Sequence, residues 1–74
     1  MANLEVLQKN LRYLRKEHGY SQEFIGKICG GKHYTTIQKW ESGDTEPSLS
    51  TVLLLCELYN VNIDDIVNVD LSKE

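Results

Sequence analysis

Between Lys32 and Ser42 the segment KHYTTIQKWES sets hydrogen-bonding side chains around two large apolar ones, Ile37 and Trp40. If those two face a core, Thr35, Thr36, Gln38 and Lys39 point outward, with Lys32, His33 and Tyr34 at the entrance. Such residues can read base edges: lysine donates to guanine O6 and N7, glutamine pairs with adenine, and threonine touches the thymine methyl. They serve equally as a solvated face or as plain phosphate contacts. Other chemistries are poorly supplied. His18 and His33 lie near no Ser or Cys nucleophile with an orienting acid, and there is no phosphate-binding glycine motif, so no enzyme is expected. Cys29, His33, Cys56 and His18 lack any C-x-x-C element, and neither a metal nor another cofactor is expected.

The elements that must position these residues are helical. Leu4, Leu7, Leu11 and Leu14 recur at spacings of three and four, opposite Lys9, Arg12, Lys16 and Glu17, which predicts a first helix with one buried stripe. Asn3 suits its N-cap and Gly19 the left-handed position after its end. Ser21 caps a second helix, Glu23 favours its positive end, and Tyr20 with Ile25 stands at the positions of a hydrophobic staple. Phe24, Ile25, Ile28 and Cys29 offer its apolar face, and Gly30-Gly31 ends it. A third helix runs from Tyr34 to Ser42, with Ile37, Trp40 and Glu41 on one side and Gly43 just beyond.

After the surface loop Asp44-Thr45-Glu46-Pro47, Ser48 caps a fourth helix through Tyr59. Val52, Leu55, Cys56 and Tyr59 form its inward stripe, and Asn60, tolerant of positive φ, closes it. Asn62 caps a fifth helix, with Val61 facing Ile66 as a staple and Ile63, Ile66 and Val67 on the apolar side. Beyond Asn68 the pattern fades. The expected class is all-α: one compact five-helix domain over residues 1–68 and a short C-terminal tail, 69–74, read as frayed or partner-dependent.

Seventy-four residues hold one unit at most, and a core of that size rarely supplies more than roughly 3–5 kcal/mol, so good packing or a partner is expected. The net charge of −3 argues against a nucleic-acid partner when taken as an average. Its distribution argues the other way. Residues 1–43 carry seven Lys/Arg against four Asp/Glu, whereas residues 44–74 carry one against seven. A basic half of this kind points to an anionic partner. No apolar run is long enough for a membrane span, and the polar start MANLEVLQKN is no secretory signal. Cys29 and Cys56, which could form one disulfide, read instead as reduced core residues of a cytoplasmic protein.

Two short helices joined by a tight glycine-containing turn and buttressed on both sides make a helix-turn-helix arrangement. From Leu11 to Val67 the sequence resembles the lambda-repressor-like, Cro/C1-type (XRE) family. The carriers are Leu11-Arg12-x-Leu14-Arg15, Gly19-Tyr20-Ser21-Gln22, Ile25-Gly26, Ile37-x-x-Trp40-Glu41-x-Gly43, Pro47-Ser48-Leu49, and Leu55 through Val61-Asn62-Ile63-Asp64-Asp65-Ile66. Their joint order and spacing are specific, although each alone is weak.

The resemblance implies a bacterial or phage transcriptional regulator, a repressor binding a double-stranded operator as a homodimer, with helix 3 in the major groove. It places base contacts at Tyr34, Thr35 and Lys39, with Thr36 and Gln38 close enough to join them. Phosphate contacts fall to Gln22 at the start of helix 2, to Lys32 and His33, and to Ser42 and Gly43. Arg15 and Glu41 match a largely buried structural ion pair, and Gly26 a site where the two helices cross closely. The chain departs from the family in two places. Its turn between Gly30 and Ile37 has one residue more than the commonest spacing, and the acidic Asp44-Thr45-Glu46 loop disfavours a minor-groove contact. Leu54 and Leu58, one helical turn apart outside the core stripe, suggest a homodimer contact with helix 5, or else they cover the core edge. The rival reading is a protein-binding module of the same fold, an antitoxin or adaptor working through the acidic half.

Overall fold

In the computed structural model, which describes residues 4–73, five α-helices follow one another: α1 (Leu4–Glu17), α2 (Gln22–Ile28), α3 (Tyr34–Ser42), α4 (Leu49–Tyr59) and α5 (Ile63–Asn68). A single 3₁₀ turn, Leu71–Lys73, comes after them, and no strand occurs among the described residues. The start signals work as side-chain acceptors for otherwise orphaned amides. Ser21 accepts from the Phe24 N–H, Ser48 from Thr51 and Asn62 from Asp64. The N-cap expected at Asn3 lies outside the described residues. Asn60 ends α4 in the left-handed region at φ 55°.

Leu7, Leu11 and Leu14 of α1 are buried together with Ile25, Cys29, Ile37, Trp40, Val52, Leu55, Cys56, Tyr59 and Ile66. Both cysteines are free and buried within this cluster. Full burial of an aliphatic side chain such as Ile37, Leu55 or Ile66 contributes about 1.5–3 kcal/mol. Two residues expected in the apolar stripes stay largely outside. Leu4, at the first turn of α1, is 42% exposed, and Phe24 is 41% exposed. Phe24 sits one position away from Ile25 on the flank of α2, where its ring covers that of Tyr20 at 4.7 Å between centroids.

Residues 69–73 fold back onto α1 rather than fraying, because Asn10 supplies the polar partners they need. Asn10 is fully buried; its Nδ2 donates to the carbonyls of Ile66 (2.8 Å) and Val69 (2.7 Å), and its Oδ1 accepts the Leu71 N–H (2.9 Å). Both amide N–H groups and the amide oxygen are thereby used. Leu71 then rests against the core.

Candidate nucleic-acid interface

The turn between α2 and α3 is built on two consecutive left-handed glycines, Gly30 (φ 90°) and Gly31 (φ 78°), a pair of conformations that side-chain-bearing residues rarely adopt. The chain then folds back so that the Lys32 N–H donates to the Gly26 carbonyl at 2.8 Å. A Cβ on Gly26 would run into the Lys32 carbonyl oxygen. The small residue is therefore required by the returning turn, not by the crossing of two helices that the resemblance implied.

The longer turn still delivers α3 at Tyr34. His33 is its N-cap: Nδ1 accepts the Thr35 N–H at 3.3 Å and lies 2.9 Å from Thr35 Oγ1. The imidazole and the Thr35 hydroxyl are thus tied to each other at the helix start, and the Tyr34 ring lies 4.7 Å from that of His33. Lys32, His33, Tyr34, Gln38, Lys39 and Ser42 are exposed, while Thr35 and Thr36 are half-buried. The Lys39 carbonyl closes the other end, accepting the amides of Gly43 and Asp44 at 3.0 Å each. Gly43, at φ 91°, has therefore spent its N–H on the helix cap and offers shape rather than a donor for a phosphate.

Arg15 and Glu41 pin α3 to α1. Arg15 Nε donates to Glu41 Oε2 at 2.7 Å, Nη2 donates to Oε1 at 3.0 Å, and Nη1 donates to the Tyr20 carbonyl at 3.0 Å. The side chains are 12% and 7% exposed. The Glu41 carboxylate, hydrogen-bonded and close by, raises the Arg15 pKa still further, so the guanidinium keeps its charge. Gln22 Nε2 also donates to Glu41 Oε1, at 3.2 Å, which fixes the glutamine beside the pair. Around them opens a cleft of about 290 Å³ lined by Arg12, Arg15, Gln22, Gln38, Glu41 and Ser42. The structure thus brings Gln22, Gln38 and Ser42 of the expected set to one place. Arg12 also lines the cleft, a place that no motif in the sequence assigns to it; its i, i+3 spacing from Arg15 on α1 is the available signal.

A family model described as helix-turn-helix matches residues 11–66. The chain belongs to the Cro/C1-type helix-turn-helix family. This Cro/C1-type chain is 32% identical over 60 residues to the uncharacterized HTH-type transcriptional regulator YgzD of Bacillus subtilis (strain 168), covering 81% of this chain and 89% of that protein. It is 29% identical over 65 residues to the antitoxin PezA of Streptococcus pneumoniae, covering 88% of this chain but only 40% of that protein. Among solved structures it is similar to the P22 c2 repressor in complex with a synthetic operator, with a TM-score of 0.73, 26% identity and coverage of 84% and 92% of the two chains. The fold is lambda-repressor-like, and α2 with α3 forms its helix-turn-helix.

The remaining expected residues are dispersed. Leu54 is 39% exposed, and Leu58, one turn further along α4, is half-buried against the core. Leu49 (67%) and Leu53 (48%) are the more exposed leucines of this Cro/C1-type domain, and their i, i+4 spacing could have marked them. His18 Nδ1 lies 2.8 Å from the Leu14 carbonyl, and its ring packs 4.9 Å from that of Tyr59. Among the described residues, no three His, Cys, Asp or Glu side chains gather to hold a metal ion, and no helix is long and apolar enough to cross a membrane.

Proposed function

We propose that this chain is a cytoplasmic, sequence-specific DNA-binding transcriptional regulator, a repressor that occupies an operator as a homodimer. The observation that carries the reading is the likeness over most of both chains to a repressor solved on its operator, joined to an α3 whose Gln38 and Lys39 are exposed beside a cleft. In this reading α3 enters the major groove, and Tyr34, Thr35, Thr36, Gln38 and Lys39 face the bases. Gln22, Lys32, His33 and Ser42 meet phosphates and set the register. Gly43 shapes the approach. Two copies meet through α4, with Leu54 and the neighbouring Leu49 and Leu53 at the contact, and present their α3 helices to half-sites about 34–36 Å apart.

Selection of bound duplexes from a random-sequence pool tests the reading, with the mass in solution measured alongside. A defined two-fold symmetric site bound by a dimer supports it. Failure to retain any duplex at micromolar protein and low salt overturns it. The antitoxin-type reading is favoured by one observation, the similarity to PezA, of which the chain spans 40%. It gains if duplex binding fails while a protein partner saturates the acidic α4–α5 half.

A further inference from the structure

Within the cleft between α1, α2 and α3, the charges do not balance. Arg15 and Glu41 satisfy each other, with Arg15 also bound to the Tyr20 carbonyl and Glu41 also accepting from Gln22. The pair is a neutral unit. Arg12 lines the same cleft, is exposed, and has no hydrogen-bond or ion-pair partner among the described residues. Its guanidinium is the uncompensated charge of the cleft, whose α3 side carries the Gln38 amide and the Ser42 hydroxyl, the latter donating to the Lys39 carbonyl at 3.2 Å. A planar, permanently charged fork of N–H donors matches a tetrahedral anion with several oxygens.

We infer that Arg12 grips a backbone phosphodiester of the DNA duplex at the mouth of this cleft. The inference rests on the DNA-binding reading and adds a residue and a consequence to it. The cleft is shared by α1 and α3, so a phosphate held at it by Arg12 fixes how α3 lies in the groove. Arg12 acts as a positioning residue, sequence-blind in its own contact. Glu41 does not repel the phosphate, because Arg15 holds its charge in a bidentate pair. This assigns the ion pair a second duty beyond joining α1 to α3.

The test measures affinity for a mixed-sequence DNA duplex between roughly 50 and 200 mM salt for wild type, Arg12→Gln, Arg12→Lys and Lys9→Gln. Lys9 lies elsewhere on α1, exposed and 4.0 Å from Asp70, so it controls for loss of one positive charge. Arg12→Gln is expected to lower affinity about tenfold and to flatten the salt slope by about 0.9, the share of one phosphate. Arg12→Lys should restore the slope, and Lys9→Gln should leave it unchanged. An unaltered slope in Arg12→Gln, or an equal loss in Lys9→Gln, overturns the assignment while leaving DNA binding intact. Wild type that binds no duplex at any salt instead removes the DNA-binding reading and this inference with it.

Discussion

Arg15 Nε and Glu41 Oε2 lie 2.7 Å apart across 26 residues of sequence, on side chains that are almost fully withdrawn from water. The pair joins the first helix to the helix whose outer face is the candidate DNA reader. Removing one member strands the other charge in a poorly hydrated site, at a cost of roughly 3–5 kcal/mol. That is comparable to the whole stability of a domain this small. Glu41→Gln and Arg15→Met should each leave the protein largely unfolded at 37 °C by circular dichroism. The double variant should recover part of the loss, and a double variant no better than the worse single would contradict this account.

Asn10 should be nearly as sensitive. Replacing it by Leu leaves the Ile66 and Val69 carbonyls and the Leu71 N–H without their partner, each costing about 1–3 kcal/mol where water is excluded. Asn10→Asp loses both donors and adds a charge. Urea denaturation should show Asn10→Asp less stable than Asn10→Leu at neutral pH. The reverse order would mean that water replaces the missing donors.

Gly26→Ala is expected to destabilise by about 1–3 kcal/mol, since either the Lys32 carbonyl or α2 must shift. Helix propensity alone would predict a gain of nearly 1 kcal/mol, so the sign of the change in melting temperature decides between the two effects. A rise in melting temperature would show that the turn yields easily.

Gln22 and Lys39 should separate register from reading. Lys39→Ala is expected to relax base preference at one position of a selected site, losing about 1–3 kcal/mol of discrimination there. Gln22→Ala should weaken all duplexes alike. The check is a comparison of selected and scrambled sites, and equal losses on both for Lys39→Ala would remove it from the base-reading set.

Alkaline pH should destabilise the fold. Burial holds the Tyr59 phenol well above its ordinary value of 10.0, with the Glu41 carboxylate adding to the effect, and burial likewise raises the Cys29 and Cys56 thiols above 9.0. These groups lose protons more readily in the unfolded chain. Their stabilisation is complete below the unfolded values and declines as pH rises towards the folded ones. Urea midpoints should therefore fall from about pH 9 upward, and Tyr59→Phe should flatten the upper part of that fall. A constant midpoint up to about pH 10.5 would contradict the prediction.

Most of the helical frame could be read from the sequence because its signals are local. Ser21, Ser48 and Asn62 are caps whose acceptors act within three residues, and the Leu7-Leu11-Leu14 stripe follows from helical geometry alone. The exact start of α3 was not legible, because the turn is one residue longer and the N-cap that fixes it, His33, is not one of the usual capping types. What else was not legible depends on contacts distant in sequence. Nothing around Asn10 marks it as a buried polar clip, because its partners lie 56 to 61 residues away. Phe24 looked like core because type and position were both apolar, but neighbouring Ile25 already filled the inward direction. In the candidate site, Gln38 and Ser42 were visible as exposed residues of one helix, whereas the cleft they share with Arg12 exists only once α1 and α3 are docked.

The Asn10 clip also bears on how the domain is made during synthesis. Helix α1 leaves the ribosome well before the groups that satisfy its buried amide, which end with the Leu71 N–H. Until residue 71 is available, burying Asn10 would leave its hydrogen bonds unmade, and the side of α1 that receives α5 stays open to water or to chaperones. Nascent chains stalled before and after that residue should therefore differ sharply in protease resistance, with α1 reporting the arrival of a segment synthesised more than fifty residues later.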